Sequence, residues 1–72
     1  MKLKDRWVEG WLTATSGVRF GVYAYTDTQK NKVIVHFGAD TWLFDEVYEF
    51  STWGKANAFM RECNVQIIAG RE

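Results

Sequence analysis

Apolar and polar residues alternate along the first fifty positions of this chain, and from Ser51 the apolar spacing becomes helical. A period of two marks strands with one buried face, and a period near 3.6 marks a helix. RWVEGWLTATSGVRFGVYAY, residues 6 to 25, reads as two strands around a Thr15-Ser16-Gly17 loop. A three-residue loop sets Ala14 against Val18, Leu12 against Phe20, Gly10 against Val22 and Val8 against Ala24, which makes one apolar face. The other face then pairs Trp7 with Tyr25, Glu9 with Tyr23, Trp11 with Gly21 and Thr13 with Arg19. A two-residue Ser16-Gly17 loop would mix polar and apolar pairs on both faces, so the three-residue register is expected. In that register the Trp11 indole is expected to cover the bare backbone of Gly21.

The DTQKN run at residues 27–31 is a turn by composition. KVIVHFG follows as a third strand, with Val33, Val35 and Phe37 expected on the apolar face and Ile34 and His36 on the other. Gly38-Ala39-Asp40 turns the chain again, and TWLFDEVYEF supplies the fourth strand segment. Trp42, Phe44, Tyr48 and Phe50 share a parity that Glu46 interrupts, which predicts a bend or bulge near Asp45-Glu46. Ser51 or Thr52 is suited to cap a helix whose stripe is Trp53, Ala56, Phe59, Met60 and Cys63, and Asn64 is suited to end it. VQIIA, short and β-branched, predicts a last strand. The order β-β-β-β-α-β predicts an α+β domain in which one helix packs on one face of a small antiparallel sheet. The alternative is a strongly curled sheet that closes into a small barrel beside the helix.

Seventy-two residues make one domain, expected over residues 1–72. A chain this short buries only about 60% of its unfolded surface. Cys63 is the lone cysteine, so no disulfide can staple the fold, and no Cys/His spacing suggests zinc. The load falls on dense apolar packing, and large rings bury the most area per residue. MKLKDRWVEG holds no apolar core of a signal peptide, and no run approaches the roughly 18 apolar residues of a membrane span. A soluble cytoplasmic protein without membrane contact is expected.

The formal net charge is zero, which argues against general nucleic-acid binding. The charges are unevenly distributed, however. Residues 1–36 carry six Lys and Arg against three acids, and residues 37–72 carry three against six. Folding can interleave the halves and cancel this asymmetry. The sharper expectation is an acidic patch of Asp45, Glu46 and Glu49 that meets a basic partner.

Little in the chain suggests catalysis. His36 is the lone histidine, and as a general base it would need an orienting carboxylate, for which Glu9 is the candidate. Cys63 falls at the C-terminal end of the helix stripe, where the helix dipole disfavours a thiolate. Asp45 and Glu46 are adjacent on a strand and point to opposite faces, so they do not converge as a carboxylate pair. A domain of this size also leaves little room for a cavity. No phosphate-binding, dinucleotide, zinc-protease or calcium-loop motif is present. No enzyme, cofactor or metal is expected.

What remains is the second face, with Trp7, Glu9, Trp11, Arg19, Tyr23, Tyr25, Ile34 and His36. One reading makes it a second core layer, covered by the bent fourth strand or by the last strand. Yet Glu9, Arg19 and the tyrosine hydroxyls make it wetter than a core, and buried charges without partners are costly. Trp, Tyr and Arg are the residue types enriched at interface hot spots. The expectation is a small binding protein with a protein partner or a second copy of itself, an inhibitor or modulator of a larger protein. The alternative is a single-stranded nucleic-acid binder that stacks bases on the same rings.

Overall fold

The computed structural model describes residues 2–39 and 45–71. The hairpin register follows from side-chain alternation. β1 (Trp7–Thr13) and β2 (Arg19–Asp27) pair antiparallel from Trp7 opposite Tyr25 to Thr13 opposite Arg19, the register the loop predicts. Ala14 donates its amide to the Val18 carbonyl at 2.8 Å, and Gly17 donates to Ala14 at 2.9 Å. Gly17 takes a φ of 88°, a conformation at which a side chain would be strained. β2 then turns into β3 (Lys32–Ala39) through residues 28–31. There the Asp27 carboxylate accepts the amides of Gln29 and Lys30, and Asn31 takes a left-handed φ of 54°.

β4 (Asp45–Phe50) pairs with β3 in unbroken register from Gly38–Asp45 to Val33–Phe50. From Asp45 to Phe50 no bend is found, and the part of the bend expected near Asp45-Glu46 that would involve residues 40–44 lies outside the described residues. Glu46 keeps the parity of Tyr48 and Phe50 and lies opposite Phe37, where its carboxylate accepts the Tyr48 hydroxyl proton at 2.6 Å. A polar residue fits the strand pattern there because a neighbouring hydroxyl satisfies it. The Trp42 and Phe44 part of that expectation lies outside the described residues. α1 (Trp53–Glu62) follows, with Thr52 as its cap: the Thr52 hydroxyl accepts the Lys55 amide at 3.2 Å. Asn64, at φ 58°, ends it. Val65 donates to Met60 and Asn64 donates to Arg61, each at 3.0 Å, the bond pair of a Schellman stop.

The helix carries the chain from one sheet edge to the other, where β5 (Gln66–Arg71) pairs antiparallel with β1. The sheet order is β4-β3-β2-β1-β5, antiparallel throughout. It does not close into a barrel, so the α+β architecture holds. One irregularity falls between β1 and β5. Glu9 faces Ala69 and Gly10 faces Ile67, which leaves Ile68 as the extra residue of a bulge. Gly10 permits this close approach, because a side chain there would collide with the Gln66 carbonyl.

The core lies between the helix and one sheet face. Val22, Ala24, Val33, Val35 and Phe37 meet Trp53, Ala56 and Met60. Phe59 and Cys63 extend the predicted stripe at half-buried positions. Thr26 is the buried polar residue at one end of this core. Its hydroxyl accepts Trp53 Nε1–H at 2.8 Å and the Arg6 amide at 3.2 Å, and donates to the Lys4 carbonyl at 2.7 Å. A hydroxyl has one proton and two lone pairs, and here all three are used. The Arg6 guanidinium lies 4.7 Å from the centre of the Trp53 ring, so the N-terminal segment, the helix and β2 meet at one point.

Candidate functional site

A helix about 10 Å across spans roughly two strand spacings of ~4.8 Å, so one helix cannot cover five strands. α1 packs on β3 and β4, and the opposite face of the sheet has no element over it among the described residues. The register places that open face in rows across the sheet. One row runs Trp7, Tyr25, Ile34, Glu49 from β1 to β4. The next runs Glu9, Tyr23, His36, Val47, and a third runs Trp11, Gly21, Gly38, Asp45. Thr13 and Arg19 close the hairpin end. All seven residues expected to form the binding surface therefore share one face. Neither β4 nor β5 folds over it, because each extends the same sheet as an edge strand.

The rings are packed against one another. Trp7 stacks on Tyr23, its diagonal neighbour, with centroids 6.0 Å apart and planes 18° from parallel. Tyr23 and Tyr25, two residues apart on β2, lie 5.6 Å centroid to centroid. Arg19 reaches across to Trp11, with its guanidinium carbon 4.1 Å from the ring centre. This corrects one expectation. Among the described residues, a Cβ built on Gly21 would have only the Gly38 carbonyl within 4 Å, so the Trp11 indole does not lie over the glycine. The pull of the cation and the packing area of its flat guanidinium favour the turn toward Arg19 instead. Gly21 and Gly38 are cross-strand neighbours, and together they leave a notch without side chains between Trp11 and the Tyr23–His36 pair.

Burial on this face is graded. Tyr23 and Tyr25 are 42% and 36% exposed, Glu9 and Arg19 are exposed, and Trp7, Trp11 and His36 are half-buried. Ile34 is 5% exposed although no described element covers it. Glu9 and His36 flank Tyr23 from opposite sides, two strand spacings or about 10 Å apart in backbone terms. With a tyrosine between them, that backbone spacing does not set them as a hydrogen-bonded acid–base pair.

The three acids of β4 are divided by strand alternation. Glu46 belongs to the helix face and is bonded to Tyr48. Glu49 falls in a row of the open face and lies 3.5 Å from Lys30, and the Asp45 backbone pairs with Gly38. Glu46 and Glu49 thus lie on opposite faces of this edge strand. The hydrogen bond to Glu46, with smaller effects of burial and of the Glu46 charge, pushes the Tyr48 phenol above its ordinary pKa.

The sequence left one feature undetected, an open groove of about 520 Å³ on the helix side. Leu12 and Phe20 from the hairpin form one wall, and Phe37, Tyr48, Phe59 and Cys63 form the other. It arises where the helix stops short of β1 and β2, and no periodicity in the chain announces that boundary. Cys63 lines it as a half-buried thiol, pushed up in pKa by burial first and by the Glu62 charge second. No group of His, Cys, Asp and Glu among the described residues is arranged to hold a metal ion, and no helix is long and apolar enough to cross a membrane. No protein family, no curated protein and no solved structure matches this chain.

Proposed function

We propose that this chain is a small non-enzymatic binding protein that acts through protein–protein contacts made by the open sheet face, as an inhibitor or modulator of a larger protein. The observation that carries this reading is the arrangement of the rings. Trp7, Tyr23 and Tyr25 pack side by side, and Trp11 is held under Arg19. A surface ordered in this way loses little side-chain entropy on binding, which raises affinity for a shaped protein partner. The Gly21–Gly38 notch lies beside the rings, and a partner's protruding side chain fits such a combination.

The same geometry weakens the nucleic-acid reading. Base stacking needs free ring faces. Here Arg19 lies against one face of Trp11 and Tyr23 lies against one face of Trp7. Glu9 also stands exposed in the middle of the surface, where it would repel phosphates. The test is capture of partners from the native cell extract, followed by affinity measurement with the wild type and with Trp7→Ala/Trp11→Ala. Loss of two hot-spot rings is expected to weaken binding by about 100-fold or more, with the circular dichroism spectrum unchanged. A folded double variant that binds as tightly as wild type would overturn the proposal. So would a change of Trp fluorescence on titration with single-stranded oligonucleotide at low salt.

A further inference from the structure

We infer that β5 is a pairing edge through which two copies of this chain join into one continuous sheet. The two edges of the sheet differ sharply in how they meet solvent. β4 carries Asp45, Glu46 and Glu49 within six residues, and Lys30 reaches Glu49 across its margin. Charges of this density on an edge strand repel a second strand of like sequence, which is how exposed edges are ordinarily guarded. β5 carries a single charge, Arg71, at its last position. Gln66, Ile67, Ile68, Ala69 and Gly70 are uncharged, and Ile67 and Ile68 are 52% and 65% exposed. Among the described residues no strand pairs with its outer side. Unpaired backbone groups beside exposed isoleucines form a template for strand addition.

The occupant that fits is a second copy of β5, because neutrality makes the strand complementary to itself. Antiparallel self-pairing centred on Ile68 sets Arg71 opposite the uncharged Val65 of the second copy, and centring between Ile67 and Ile68 sets it opposite Asn64. Neither register brings like charges together. The same pairing at β4 would set its acids beside those of the second copy. Antiparallel pairing of this kind needs a two-fold axis perpendicular to the sheet. Both open faces then lie on the same side of a ten-stranded sheet. The bulge at Ile68 shortens the straight run of β5, and one strand pair buries less than the ~1,200 Å² of stable interfaces. The association is therefore reversible and dependent on concentration.

Light scattering coupled to size exclusion, from low micromolar to millimolar protein, reads this directly. The mass is expected to climb from that of the monomer toward twice that value. Ile68→Lys is expected to raise the dissociation constant at least about tenfold, since it places two lysines near the axis. Lys55→Ala, on the exposed side of the helix, is expected to leave the dissociation constant unchanged. In the wild type, the outward amides of β5 are expected to gain hydrogen-exchange protection as concentration rises, a measurement that needs no variant. A monomer at every concentration would overturn the inference, as would a dimer that a folded Ile68→Lys variant still forms. Concentration-dependent protection on the open face or β4, with none on β5, would overturn it as well.

Discussion

Thr26 shows how one polar atom can organise a small core. Its hydroxyl is bonded to Trp53, to the Arg6 amide and to the Lys4 carbonyl, so β2, α1 and the N-terminal segment share one oxygen. Thr26→Val keeps the shape and removes the oxygen, leaving the Trp53 Nε1–H without that acceptor in a buried site. The expected cost is about 1–3 kcal/mol, seen as a lower urea midpoint with an unchanged slope. Valine itself suits a strand, so a neutral result would mean that water or another acceptor replaces the hydroxyl. Alternation alone places Thr26 on the core face, two residues beyond Ala24. Nothing in the sequence, however, indicates that a tryptophan 27 residues later supplies its donor.

At the scale of elements, the first two turns and the helix caps follow the local chemistry, whereas Gly38 and Ala39, expected in a turn, stay paired in β3 opposite Gly21 and Phe20. Gly17 and Asn31 hold the left-handed positions of their turns, and Asn64 holds that of the helix stop. Each belongs to a residue type that tolerates positive φ, so the sequence shows where the chain reverses. β5 follows a different logic. Its length and apolar character mark it as a strand, but its bulge depends on how closely it approaches Gly10 of β1. Gly10→Ala introduces a methyl group against the Gln66 carbonyl, and β5 must move to admit it. A loss of about 1–3 kcal/mol is expected, with the largest rise in amide exchange rates on β5 and little change on β3.

Across the whole molecule, the chain builds its sheet in two stages of different range. β1 to β4 form a meander of neighbouring hairpins, whereas β5 must return past the helix to reach β1 from the far end of the sequence. Closing that long loop costs more entropy than closing a hairpin. The β5 strand is therefore expected to open first. Native-state hydrogen exchange in dilute solution should show its amides exchanging through openings of lower free energy than those of β2 and β3, which lie at the centre of the sheet. The same return leaves an edge strand on each side of the sheet and all the aromatic residues of the hairpin's second face on the side away from the helix.

Taken by itself, the sequence determined the hairpin register, the two-faced character of the strands, the helix with its cap and stop, and the order of elements. These rest on side-chain alternation, helical spacing and turn chemistry, all of which act between near neighbours. Tertiary structure decided what those faces meet. Among the described residues it set no element over the Trp7–Tyr23 face, because one helix covers only about two strands and the connection to β5 uses the opposite side. It turned Trp11 toward Arg19, gave Glu46 a partner in Tyr48, and set a bulge against Gly10. Each of these depends on how packed elements or side chains are placed in space, and periodicity along a chain carries no record of that.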